Sequence, residues 1–181
     1  LISAAVLCNE GDLHAHNGEW SHRGDPTDIA LLSLGQKIKV GQEHMLENCP
    51  QVNQIPFEPE YQFSASFHQL ATGEIRTFVK GSPEQVLSMC KEAEGENKHH
   101  SILQAAEEMA AKGFRVLAFA HGPAPKNLDP HHPPAEPTEL EFLGFTGMID
   151  PLREGVPEAI ASCREAGIHV AIITGDHQLT A

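Results

Sequence analysis

From residue 61 the chain alternates between apolar and polar positions. Tyr61, Phe63, Ala65 and Phe67 are separated by Gln62, Ser64, Ser66 and His68. That is the two-residue period of a strand with one buried face. Thr72-Gly73 marks a turn and residues 74–80 return, so a β-hairpin is expected here. Residues 1–10 are apolar enough for a helix. Asp25-Pro26-Thr27-Asp28 opens another, with an N-cap acceptor, proline at the first helical position and an acid in the first turn. Ile29, Ala30, Leu32 and Leu34 give it an apolar face. Ser82-Pro83-Glu84-Gln85 opens a third, with Ser and Gln at capping-box spacing. Residues 101–112 form a fourth, with Ile102, Ala106 and Met109 on one stripe and Gly113 as its stop. Residues 114–120 read as a strand. The polar stretch 14–24 and the six-proline stretch 123–137 read as surface loops.

Beyond about residue 140 the pattern changes. Residues 142–149 read as a strand, residues 157–166 as a helix closed by Gly167, and residues 168–173 as a continuous apolar run. Such a run suits a strand buried on both faces, and strand–helix–strand order with short connections implies a parallel β-α-β unit. The expectation is therefore two parts. Residues 1–140 form an α+β domain with an antiparallel sheet flanked by helices, and residues 141–181 begin an α/β domain. Two strands and one helix do not make a stable sheet alone, so the second part needs further strands.

Charge narrows the function. With 12 Lys and Arg against 25 Asp and Glu, the net charge is -13, which argues against a nucleic-acid partner because phosphate backbones require clustered cations. A domain this acidic that binds a smaller polyanion must gather its few cations in one pocket. Cys8, Cys49, Cys90 and Cys163 are widely spaced and form no C-x-x-C pair, so reduced thiols are expected rather than a zinc site or disulfide framework. The adjacent pairs His99-His100 and His131-His132 point apart on any regular element and make poor metal sites. Neither a G-x-x-x-x-G-K-[ST] loop nor a G-x-S-x-G elbow occurs.

Four segments could carry chemistry. Thr174-Gly175-Asp176 follows the apolar run, where open parallel sheets bind ligands; read alone it is more commonly a strand-end turn with a capping Asp. Asp150-Pro151-Leu152-Arg153 is by itself a plain turn. Alternation places Arg76, Phe78 and Lys80 on one face, followed by Gly81 and a helix start. A cation beside an aromatic and a helix N-terminus suits a nucleotide, although an exposed strand-end Lys is an equal alternative. Arg115 shares a face with Leu117 and Phe119, as either a ligand contact or a snorkelling side chain. Phe57, after Ile55-Pro56, is a core residue by default and a stacking platform otherwise.

The order of these segments is more specific than any one of them. Gly24-Asp25-Pro26-Thr27-Asp28-Ile29-Ala30-Leu31 is followed by Ile55-Pro56-Phe57 and then Phe78-Val79-Lys80-Gly81-Ser82-Pro83-Glu84. Gly113-Phe114-Arg115-Val116-Leu117-Ala118, Gly147-Met148-Ile149-Asp150-Pro151-Leu152-Arg153 and Ile173-Thr174-Gly175-Asp176-His177 complete the series. It resembles the P-type cation-transporting ATPases along nearly the whole chain. The resemblance implies an ATP-binding N-domain, followed by part of a haloacid-dehalogenase-like P-domain, on the cytoplasmic side of a membrane pump. It implies that Phe57 stacks on adenine, Lys80 lines the pocket floor and Gly81 permits close approach. Arg115 would reach the phosphates, and Asp28 would sit at the rim near the purine amino group. Thr174, Gly175 and Asp176 would serve the phosphorylation site, with Asp150 at the hinge between domains. ATP and Mg2+ are the implied cofactors. The remaining P-domain, the A-domain and the transmembrane domain are the implied partners.

The family's Asp-Lys-Thr-Gly-Thr nucleophile motif is expected before residue 1 and its magnesium-holding Gly-Asp-Gly after residue 181; neither occurs in the chain. The chain alone is therefore expected to bind nucleotide without hydrolysing it. Gln62 stands where many relatives carry a cation, and Asp28 where Glu is frequent, which shortens its reach. Two other classes remain as alternatives: a haloacid-dehalogenase-type phosphatase, which lacks its D-x-D motif here, and a non-catalytic nucleotide-binding or interaction module.

Overall fold

The 63–81 hairpin forms as its alternation predicts, and it is the centre of the molecule. A computed structural model of the chain describes residues 1–16, 19–91, 98–126, 128–129, 131–132, 134–149, 153–171 and 173. The elements run α1 (Ile2–Leu7), β1 (Asp12–His16), β2 (Glu19–Arg23), α2 (Pro26–Lys37), α3 (Gln42–Asn48), β3 (Gln51–Glu58), β4 (Phe63–Gln69) and β5 (Ile75–Gly81). They continue with α4 (Pro83–Ser88), α5 (Lys98–Ala110), β6 (Arg115–Pro123), β7 (Glu141–Met148) and α6 (Val156–Glu165). β3-β4-β5-β6-β7 make one antiparallel sheet in sequence order, and β1 and β2 pair separately.

Local chemistry sets the helix starts. Asp25 accepts a hydrogen bond from the Thr27 amide at 2.8 Å, and Ser82 Oγ accepts one from the Gln85 amide at 3.3 Å, each just ahead of a proline at the first helical turn. Gly73 and Gly113 take positive φ (84° and 83°), one turning the hairpin and the other ending the stretch after α5.

Alternation along the strands supplies two cores, one on each face of the sheet. Phe63, Ala65, Phe67, Val79, Ala118 and Ala120 pack under Val86 and Met89 of α4 and its end, with Leu140. Phe78 and Phe119 point the other way, against Ala4, Ala5 and Leu7 of α1, Cys8, and Leu31 of α2. The alternation in β4 predicts a half-buried strand. Instead Ser64, Ser66 and His68 are buried too, because α1 and its neighbours cover that face.

Three further expectations change. Residues 14–24 hold the β1–β2 hairpin rather than a loop; its strands are almost wholly exposed, so no apolar alternation announces them. The strand beyond residue 140 does not open a separate parallel unit. β7 pairs antiparallel with β6, from Arg115↔Met148 to His121↔Glu141, so a division at 140–141 would cut the sheet. The reason is burial: Phe142 and Phe145 pack on one core and Leu143 and Met148 on the other, and an established sheet covers both sides at once. Last, described residues 168–171 and 173 are not a buried strand. Ile173 is 99% exposed and no strand pairs with this segment among the described residues.

The connection from β6 to β7 crosses back toward the far edge of the sheet. Asn53 Nδ2 of β3 donates to the carbonyls of Asp129 (2.8 Å) and His132 (3.0 Å), while Leu128 packs against the first core.

Candidate functional site

In an antiparallel sheet, alternate strands start and finish at the same end. Here β3 and β5 finish where β4 and β6 begin. That end, together with the first turn of α2 and the segment after α1, encloses a cleft of about 630 Å³, a volume suited to a small-molecule ligand. Asp28, Phe57, Lys80, Gly81 and Arg115 all line it. Sequence reasoning named these five separately, and the fold brings them together. Asp150, Thr174, Gly175 and Asp176 lie outside the described residues.

The floor is an ion pair. Lys80 is 6% exposed and Asp28 7%, and Lys80 Nζ donates to Asp28 Oδ1. The other carboxylate oxygen of Asp28 accepts the Glu10 amide at 3.2 Å. Asn9 Nδ2 holds the same turn, donating to the carbonyls of Ala5 (3.1 Å) and Asp28 (3.0 Å). Two buried opposite charges with added hydrogen bonds satisfy each other where either alone would be costly. Asp28 therefore belongs to the floor rather than the rim implied by the family resemblance.

Phe57 is 52% exposed, so the default core reading fails and its ring stands open at the cleft. Arg115 is exposed at the opening and donates from Nη1 to Thr27 Oγ1 at 3.3 Å. Val116 and Leu117 add apolar wall. Gly81 has a structural reason to be glycine: a Cβ there would lie 2.5 Å from the Gln62 carbonyl oxygen and 2.8 Å from Phe63 Cβ. The close approach it permits is thus between β5 and the start of β4, where the Ser82 amide also donates to the Gln62 carbonyl at 2.9 Å.

Sequence reasoning missed Glu10 and did not assign Thr27 or Ser82 to the site, although all three line it. Glu10 carried no signal, being an acid just after a short apolar helix. Thr27 and Ser82 stand in helix starts and in two of the ordered segments, with no role of their own assigned.

Besides Lys80 of the floor pair, Arg115 is the cation among the lining residues, which also include the acids Glu10 and Asp25. An open aromatic ring, apolar walls and one guanidinium at the mouth suit a flat heteroaromatic group with an anionic tail. Cys8 lies beneath, but its thiol is buried, donates to the Ser64 carbonyl at 3.4 Å, and is pushed up in pKa by burial, against the opposing pull of Lys80. Among the described residues, no His lines the cleft beside the Thr27 or Ser82 hydroxyl.

The sequence that builds this cleft matches a known family. Residues 1–155 match the family described as P-type ATPase, cytoplasmic domain N, and the chain belongs to that family. Among its relatives are the cation-transporting ATPase pma1 of Synechocystis (38% identical, 99% of this chain and 20% of the relative), the sodium/potassium exporting P-type ATPase cta3 of Schizosaccharomyces pombe (32%, 100% and 18%) and the calcium-transporting ATPase 1 of Lactococcus lactis (32%, 100% and 21%). The chain spans about a fifth of the length of these relatives. Among its described residues no helix is long and apolar enough to cross a membrane.

Proposed function

We propose that the cleft binds ATP, and that the chain is the nucleotide-binding part of a cation pump that hydrolyses ATP through an aspartyl-phosphate on the cytoplasmic side of a membrane. The observation that carries this reading is the convergence of Phe57, Lys80 and Arg115, distant in sequence, on one cleft of suitable size. Phe57 supplies the face for adenine. The Lys80–Asp28 pair supplies a polar floor for the edge of the base. Arg115 meets the phosphates at the mouth, where they remain in water.

The chain on its own binds and does not hydrolyse, since it contains no Asp-Lys-Thr-Gly-Thr nucleophile motif. Its part in the reaction is to hold the triphosphate for a carboxylate on another segment, a contribution of positioning and electrostatics. Mg2+ would offset phosphate charge in that reaction. It would enter with ATP, as the counter-ion of the phosphates. The N-domain sheet closes with β7, and the passage to a haloacid-dehalogenase-like P-domain begins near Asp150. Thr174, Gly175 and Asp176 belong to the phosphorylation site of that domain.

The test is an ATP titration of the chain followed by backbone amide shifts, with Phe57→Ala beside it. Phe57 is half exposed, so its removal should change stability by no more than about 0.5 kcal/mol. Base–aromatic stacking is worth about 1–3 kcal/mol, so affinity should fall by about fivefold or more. Absence of shifts at Phe57, Lys80 and Arg115, or equal affinity in the variant, rejects the reading.

A further inference from the structure

β3 is an edge strand, and its pairing with β4 slips between Ile55 and Glu58. Pro56 and Phe57 fall in that slip. Proline has no amide hydrogen, and the Phe57 amide has no rung in the ladder. It donates instead to Glu10 Oε1 at 3.0 Å. The Glu10 backbone amide donates to Asp28 Oδ2 at 3.2 Å, on the carboxylate that holds Lys80. A single residue thus spans the cleft, with its main chain fixed to the floor and its side chain fixed to the segment carrying the exposed ring.

We propose that Glu10 is a positioning residue: it sets the height and direction of the Phe57 ring over the Lys80–Asp28 floor, and thereby the spacing available to a flat base. This inference rests on the ATP reading above and deepens it. Glu10 also places a negative charge at a site for a polyanion, which by itself should weaken binding. An acid kept there against that cost is explained by the acceptor it supplies.

The two effects separate by substitution. E10Q keeps an acceptor oxygen and removes the charge, whereas E10A removes both. Both leave the backbone bond to Asp28 in place. In the nucleotide-free chain, hydrogen exchange at the Phe57 amide should accelerate about fivefold in E10A and stay within about twofold of the parent in E10Q. With ATP, the Kd of E10A should rise about fivefold, while E10Q binds as tightly as the parent or more tightly. Thermal midpoints of both should match the parent. If both variants bind more tightly, Glu10 acts through charge alone and the proposal fails. If the parent binds ATP and E10A binds equally well with unchanged Phe57 exchange, the positioning role is overturned while the ATP reading stands. If the parent shows no ATP-dependent shifts, the ATP reading falls and this inference falls with it.

Discussion

Replacing Lys80 by Met keeps most of the side chain's length and removes its charge, leaving Asp28 buried with one amide donor. The side chains of the pair are 7% and 10% exposed, so water cannot readily take the place of the ammonium. Breaking a buried pair from one side costs about 3–5 kcal/mol, and the cleft beside this one favours the lower end. At about 3 kcal/mol, and about 2–4 °C per kcal/mol for a chain of this size, the thermal midpoint should drop by about 6–12 °C. The assay is urea unfolding of the parent, K80M, D28N and the double variant, compared at constant m-value. The double variant removes both charges and should recover at least about 1 kcal/mol relative to the sum of the singles. A K80M protein within about 0.5 kcal/mol of the parent, or a double variant with no recovery, refutes the account of the floor. The outcome also governs any binding experiment. Loss of ATP affinity on changing Lys80 identifies a ligand contact only if it persists after correction for the folded fraction.

Gly81→Ala would set a methyl 2.5 Å from the Gln62 carbonyl oxygen, so β5 and the start of β4 must separate; a loss of about 1–3 kcal/mol in urea unfolding is expected, and an unchanged midpoint would contradict the packing described. Stability should also fall with acid. His68 is fully buried with Nδ1 on the Cys49 carbonyl at 2.8 Å, and burial holds its pKa below the ordinary 6.5; His121 is lowered too, by burial and then by Arg76. Both stay neutral in the folded chain and bind protons more readily when it unfolds, so their contribution is intact above 6.5 and is lost as pH falls through that value toward the folded pKa values. The urea midpoint should decline between about pH 7.5 and about pH 5.5, less steeply in His68→Gln; a flat midpoint across that window excludes the linkage.

What could be read without coordinates was whatever had a local cause. Asp25-Pro26 and Ser82-Pro83 announce helices because capping acts within four residues, and Thr72-Gly73 announces the hairpin because a turn is local. The elements missed have tertiary causes. β1, β2 and α3 contain no fully buried residue, and α3 rests only Met45 and Leu46 partly on the core, so they leave little periodic trace. β7 takes its direction from a sheet already present, which a strand–helix–strand pattern cannot reveal. The buried side of β4 carries Ser64, Ser66 and His68, and only the position of α1 makes that side interior. The site divides in the same way. Phe57, Lys80 and Arg115 stand in segments legible by their order along the chain, whereas the contact from Glu10 to a bulged amide depends on where two loops meet.

The outer strand β3 bears on how copies of the chain behave in concentrated solution. An uninterrupted strand at the margin of an open sheet is a template on which another molecule can build, the first step toward fibres and swapped dimers. β3 spoils that template along its length. Its rungs slip at two places, Pro56 has no hydrogen to offer, and Asn53 is occupied by carbonyls of the returning loop. Growth of one sheet onto another is blocked at this margin by the same irregularity that leaves the Phe57 amide for Glu10.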